Sequence, residues 1–178
     1  MRKVILYISI SIDGYIADSN GKVDWIDSRN IPEDVAGSYD RFIADVDTVV
    51  MGWTTYHQIV TELSPDVWVY NGLHSYVITH RQKEDAEDIH FTDEHPCDLV
   101  GRLKEQEGKD IWICGGASVA NQLMTEGLVD VLHLTVLPVT LGNGIRLFND
   151  GLPLSRYSLT KLNKSADVVE MIYAHKRE

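Results

Sequence analysis

Cysteine, positive charge and long apolar runs are all scarce in this sequence, and each scarcity excludes a class of protein. The 178-residue chain holds two cysteines, Cys97 and Cys114. Two do not make a disulfide framework at this length, and Cys114, in the run IWIC, reads as a small buried hydrophobe. Lys and Arg number 16 against 27 Asp and Glu, for a net charge of −11. Residues 13–47 carry nine acids and three bases, residues 81–110 ten and five, and 111–178 six of each. A surface of that sign, without a basic stripe, repels phosphate backbones, so nucleic acid is not an expected partner. No apolar run approaches the roughly 20 residues of a membrane span, and no membrane partner is expected. The opening MRKVILYISISIDG has a basic start and an apolar stretch. Ser9, Ser11 and Asp13 interrupt it and no small-residue cleavage site follows, so it reads as the first strand of a cytoplasmic protein.

Motifs of several common chemistries are missing too. The glycines match neither the GxGxxG dinucleotide fingerprint nor a P-loop. No serine elbow or His/Asp pairing suggests a hydrolase. His90, His95 and Cys97 match no zinc spacing and lie in an acidic, polar stretch, so they read as surface residues and no metal is expected.

What is present is an ordinary globular composition, 44% hydrophobic and 24% charged. There is no internal repeat and no Pro/Gly-rich linker, so residues 1–178 read as a single domain. Residues 4–12, VILYISISI, have the two-residue period of a strand, with Ile8, Ile10 and Ile12 opposite the small hydroxyls Ser9 and Ser11. Residues 14–37 read as a long loop carrying Tyr15, Ile16, Trp25 and Ile26, which fits an ordered lid. A short helix is expected over 38–45 with Ser38 as its N-cap. Further strands are expected at 46–51, 75–80, 88–91, 111–114 and 129–139, and helices at 53–63, 96–107 and 117–126. A closing antiparallel hairpin is expected at 156–163 and 168–175. Strand–helix–strand repetition argues for a mostly parallel α/β sheet with helices on both faces. Ligands in such sheets bind at the carboxyl ends of strands, which points to Asp13-Gly14, Gly52-Trp53, Thr79–Arg81 and Gly115-Gly116.

Two of those strand ends have the character of phosphate cradles. Met51-Gly52-Trp53-Thr54-Thr55 and Cys114-Gly115-Gly116-Ala117-Ser118 each put glycine and small residues between a buried strand and a helix start. Either alone fits ordinary tight packing; both at one sheet edge are more informative. Arg81, after Thr79 and His80, is the natural cation for an anionic ligand in an acidic chain.

These residues together resemble the dihydrofolate reductase fold family, and most of all the reductase domain of the bifunctional riboflavin-biosynthesis deaminase/reductase and its stand-alone relatives. The carrying segments are Ser11–Ala17, Val50–Tyr56, Ile113–Ser118, Leu132–Thr135 and Leu141–Phe148, in the family's order and over nearly the whole chain. The resemblance implies a three-layer α/β/α domain whose mostly parallel mixed sheet is closed by a C-terminal antiparallel hairpin. It implies NADPH as hydride donor and a small-molecule acceptor. Gly52, Thr54 and Thr55 would meet cofactor phosphates, and Thr79, His80 and Arg81 the adenosine 2′-phosphate. Gly115, Gly116, Ala117, Ser118 and Val119 would meet the pyrophosphate, with the Gly115–Gly116 peptide cis, and Ile16 and Ala17 would line the nicotinamide. Ser9, Trp25, Ser38 and Thr135 would face the substrate.

The sequence departs from the family pattern at three places. The acid that holds the pteridine in folate enzymes falls on Ala36 or Ser38, with Asp34 and Asp40 nearby but shifted. The arginine that often follows the strand-end glycine is Trp53, and Tyr7 or Ser9 stands near the riboflavin-type lysine. The proton donor is left open among solvent, Asp13 and Asp40, and the catalytic residues are not assigned. The leading reading is an NADPH-dependent reductase resembling the ribosylaminopyrimidine reductase of riboflavin biosynthesis. A dihydrofolate reductase and a non-catalytic nucleotide-binding dimeric domain are the rivals. A homodimer is expected, because the strand at 129–139 and the final hairpin leave an apolar face and edge to cover.

Overall fold

The computed structural model describes residues 1–26 and 32–177. Its centre is an eight-stranded sheet in the order β5-β4-β3-β6-β1-β7-β10-β9. Strand β1 (Val4–Ser11) pairs in parallel with both β6 (Asp110–Gly115) and β7 (Val131–Leu137). Strand β3 (Val46–Gly52) pairs in parallel with β6 and with β4 (His74–Ile78), and β4 pairs in parallel with β5 (Ile89–Thr92). The last two strands, β9 (Tyr157–Ser165) and β10 (Val168–His175), form an antiparallel hairpin added to β7.

Two helices cover each face of the sheet. On one side α3 (Pro96–Glu105) and α4 (Ala117–Thr125) bring Leu99, Val100, Leu103, Ala120 and Leu123 onto Val4, Leu6, Val50, Ile111 and Ile113. On the other, α1 (Glu33–Ala44) and α2 (Trp53–Gln58, continued by a π-helical turn at Ile59–Leu63) bring Phe42 and Ile59 onto Ile5, Val49, Met51, Val77 and Trp112. The period of two along β1 does this sorting: Val4, Leu6 and Ile10 join the first core, Ile5 and Tyr7 the second.

Local chemistry sets the helix ends. Pro96 opens α3, where its missing N–H costs nothing, and the His95 ring accepts from the Cys97 N–H at 3.3 Å. Gly127, at φ 62, supplies the left-handed residue that closes α4, and the Leu128 N–H returns to Leu123 O at 2.9 Å.

Three expectations need correction. The helix expected at 38–45 begins at Glu33, with Pro32 before it, so Ser38 is not a cap. Ser38 lies on the inward stripe with Val35 and Phe42, and its hydroxyl bonds the Glu170 carboxylate rather than its own helix end. The segment read as an unbroken loop over 14–37 contains β2 (Tyr15–Ala17), which pairs antiparallel with β8 (Ile145–Arg146). Ile12 is not part of an apolar strand face: β1 ends at Ser11, and Ile12 is 62% exposed.

At the amino ends of the strands Arg2 is buried and fully engaged. It donates to Asp47, to Thr48 Oγ1 at 2.6 Å and to Leu103 O at 3.2 Å. That end is therefore polar and filled. The carboxyl ends of β1, β3 and β6 open instead into a cleft.

Candidate active site

The cleft is about 830 Å³. Two glycine turns lie side by side in its wall. Gly52 ends β3 and leads into α2 with Thr54 and Thr55, and Gly115-Gly116 ends β6 and leads into α4 with Ala117, Ser118 and Val119; all eight line the cleft. The turns are in van der Waals reach of each other: a Cβ on either Gly115 or Gly116 would stand 3.5 Å from Thr55 Oγ1, and one on Gly52 3.4 Å from the Val119 side chain. Gly115 has φ 142, a conformation open to glycine. The Gly115–Gly116 peptide is cis.

Ile16 and Ala17 line the cleft from β2, joined by Ile145 of β8. Their strand pair is tied to the sheet through Asp13. Its carboxylate accepts from the Ser11 hydroxyl at 2.6 Å, the Gly142 N–H at 2.7 Å and the Leu141 N–H at 3.1 Å. These donors, the Ser11 hydroxyl foremost, draw its pKa down to about 2. Asp13 is thus ionised and occupied as an anchor, and is not among the residues lining the cleft. Asp40 is exposed on α1 and also does not line it. The loop after β2 crosses the cleft to α2: Gln58 Nε2 donates to Gly21 O at 3.0 Å, and Lys22 pairs with Glu62 at 2.8 Å.

Thr79, His80 and Arg81 line a neighbouring hollow of about 530 Å³ with Gln82, Lys83, Glu84 and Asp93. Thr79 is buried and accepts from the Arg81 N–H at 3.1 Å, which turns the chain at the end of β4. The Arg81 guanidinium stands 4.9 Å from the centre of the Trp53 ring and Lys83 Nζ 5.6 Å from it. Trp53, where a family arginine is often found, therefore holds two cations that reach it from the β4–β5 connection.

Of the four residues expected at the substrate, Ser9 lines the cleft and the other three do not. Trp25 packs with Val35, Leu137 and Val168. Ser38 and Thr135 are buried one layer below: Thr135 bonds the Tyr7 hydroxyl, and Ser38 bonds Glu170. The side chains of Asp34 and Ala36, the neighbours of Ser38 in that expectation, lie outside the described residues.

The residues that sequence reasoning missed are aromatic. Tyr7, Tyr39, Tyr70 and Trp112 line the inner cleft with Cys114. Tyr70 packs edge-on to Trp112 at 4.9 Å, Tyr39 edge-on to Trp112 at 5.9 Å, and Tyr7 stacks on Phe42 at 4.5 Å. The Tyr70 hydroxyl and Cys114 Sγ are 3.3 Å apart. Burial pushes the Cys114 thiol up to about 11 and, helped by Glu170, the Tyr7 phenol up to about 12. Burial also raises Tyr39 and Tyr70. The inner cleft is therefore uncharged at neutral pH. Tyr7 shares the inward face of β1 with Ser9, a relation present in the two-residue period. Tyr70 comes from an irregular segment that carries no such signal.

Residues 2–171 match the family model of the RibD C-terminal domain. The chain is 36% identical to the uncharacterized protein YwjB of Bacillus subtilis, covering 97% of each, and 32% identical to YyaP of the same organism, covering 97% of this chain and 94% of YyaP. Among solved structures it is similar to a candidate riboflavin biosynthesis protein of Shewanella sp. PV-4, with 26% identity, a TM-score of 0.79, and coverage of 98% of this chain and 99% of that one. The Enterococcus faecalis dihydrofolate reductase, solved with NADP(H), shares the fold at 15% identity and a TM-score of 0.69, with 98% and 97% of the two chains covered.

Proposed function

Because the chain belongs to the RibD C-terminal domain family, we propose that it is an NADPH-dependent reductase of a small molecule, resembling the ribosylaminopyrimidine reductase of riboflavin biosynthesis. The observation that carries this reading is the pair of glycine turns that line one cleft from the ends of the neighbouring strands β3 and β6, beside a hollow where Arg81 and Lys83 are gathered on Trp53. A dinucleotide needs both: backbone without side chains where its pyrophosphate lies, and local cations in an otherwise acidic chain.

The residues present fit that cofactor. Thr54, Thr55 and the α4 start at Ala117 and Ser118 would hold its phosphates, Arg81 and His80 a 2′-phosphate, and Ile16 and Ala17 the nicotinamide end. The bound cofactor would supply a hydride, and the second hydrogen of the reduction would come as a proton from water. The chain's own part is to orient the two reactants and exclude solvent. The loop held by Gln58 and Lys22 closes one side, and Ile16, Val119 and Ile145 make the walls apolar. Dihydrofolate reduction is less well supported, because among the described residues the cleft lining contains no carboxylate to hold a pteridine.

The chain would act in the cytoplasm, which suits its two free cysteines, and as a homodimer. Among the described residues no helix is long and apolar enough to cross a membrane. Strand β9 ends the sheet with Leu159 and Leu162 half exposed, a surface that a second copy would cover. Light scattering at micromolar concentration tests the dimer: a mass near 20.1 kDa refutes it and twice that supports it. Calorimetric titration with NADPH and NADH tests the cofactor. Binding of NADPH with clear preference over NADH is expected, and no binding of either overturns the reading.

A further inference from the structure

The inner end of the cleft says which acceptors it can hold. Its wall is made of Tyr7, Tyr39, Tyr70 and Trp112, locked against one another edge to face about Trp112. Among the described residues no Lys, Arg, His, Asp or Glu lines the cleft. Arg81 and Lys83 stand over the ring of Trp53, next to the Gly52 turn, and Lys22 is paired with Glu62. Polar capacity at the inner end comes from neutral groups, the Ser9 and tyrosine hydroxyls and the Cys114 thiol.

A phosphate or carboxylate brought against this aromatic inner end loses its hydration and gains no counter-charge from the described residues lining it, whereas a flat conjugated ring gains ring-on-ring contact and neutral hydrogen bonds. We infer that the acceptor site of this chain takes an uncharged, planar, conjugated ring compound, and discriminates against the same ring bearing a phosphate ester. This rests on the reductase reading in placing an acceptor in the cleft, and it departs from the phosphorylated pyrimidine that the family resemblance suggests.

Three ring compounds of graded charge test it: lumichrome, riboflavin and riboflavin 5′-phosphate, the last two differing by the phosphate alone. Binding is read by calorimetry and by quenching of tryptophan emission, with and without saturating NADPH. Lumichrome and riboflavin should bind, and riboflavin 5′-phosphate should bind at least tenfold more weakly than riboflavin. Equal or tighter binding of the phosphate ester, or no binding of any of the three, overturns the inference. Tyr39→Ala should weaken riboflavin at least tenfold while NADPH affinity stays unchanged, and Tyr39→Phe should restore most of it. Ser9→Lys, which puts a cation into the cleft, should narrow or reverse the preference against the phosphate ester. An unaltered preference in a folded Ser9→Lys protein counts against charge as the cause. Failure of NADPH itself to bind would fall on the cofactor reading, while the ranking of the three rings would still judge this one.

Discussion

The Glu170 carboxylate accepts a hydrogen bond from His133 Nε2 at 2.7 Å with the glutamate only 1% exposed, behind Tyr7 of the cleft wall. Asn163 donates to its other oxygen at 2.7 Å, and Ser38 bonds it as well. Burial alone would raise the Glu170 pKa, but the donors from Ser38, His133 and Asn163 outweigh it and hold it below the ordinary 4.5. Burial keeps the His133 pKa below 6.5 despite its carboxylate partner. The pair is therefore a carboxylate and a neutral imidazole that donates through Nε2. Tyr7 lies against the His133 ring at 4.2 Å, so this network supports the cleft wall.

Both shifts make the unfolded chain bind more protons than the folded one. Stability from His133 is complete above 6.5 and falls as the pH drops below it. Stability from Glu170 is complete above 4.5 and falls on further acidification. Thermal unfolding should therefore show a midpoint that is level near pH 8 and declines steadily from about pH 6.5 downward. Glu170→Ala strands three donors in a buried site and should cost on the order of 3 kcal/mol at neutral pH. Without its carboxylate partner the buried His133 should be harder still to protonate, so the decline from about pH 6.5 should steepen while the part below 4.5 is lost. A variant with the wild-type acid limb would show that other groups carry it.

Arg81→Ala should weaken NADPH by roughly tenfold or more, the value of a charge-assisted phosphate contact, and should change NADH little. Calorimetry with the two cofactors checks this, and equal losses would remove Arg81 from any 2′-phosphate site.

Gly116→Ala separates packing from binding. In the free protein its Cβ meets Thr55 Oγ1 at an ordinary 3.5 Å, and Gly116 has φ −80, so the melting temperature should stay within a few degrees of wild type. The same methyl narrows the gap between the two turns, so NADPH binding should fall below detection. A folded variant with normal NADPH affinity would make the turns mere packing.

Gly144→Ala should act from outside the cleft. A Cβ there would lie 2.2 Å from Ala17 O, and the residue has φ 140. Relief must displace β2 or β8, at a cost of at least ~2 kcal/mol. Reduced stability together with weakened NADPH binding is expected, because Ala17 and Ile145 both line the cleft. Lost stability with unchanged affinity would detach this strand pair from the cofactor site.

Much of this architecture was legible because local chemistry repeats it. The alternation in β1 and the glycines at the ends of β3 and β6 are signals carried by a few neighbouring residues, and the strands and turns they imply are present. The start of α1 was misread because Ser38 has the chemistry of a cap but spends its hydroxyl on Glu170, a partner supplied by a distant strand. The two-residue β8 is too short to show a period, and its pairing with β2 is a tertiary fact. The aromatic wall escaped for the same reason: Tyr7, Tyr39, Tyr70 and Trp112 come from four separate segments, and what makes them one surface is the fold.

The strand order has a kinetic consequence. Strands β3 and β6, which end in the two glycine turns, are neighbours in the sheet but distant in sequence, and β1 pairs with β6 and β7 from the opposite end of the chain. Closing such long loops is paid in chain entropy before the contacts repay it, which slows the search for the native pairing. The cleft is then complete only when the central strands have all found their places. A ligand that binds it selects the finished sheet over every partly assembled state, and would lower the unfolding rate more than it raises the rate of folding.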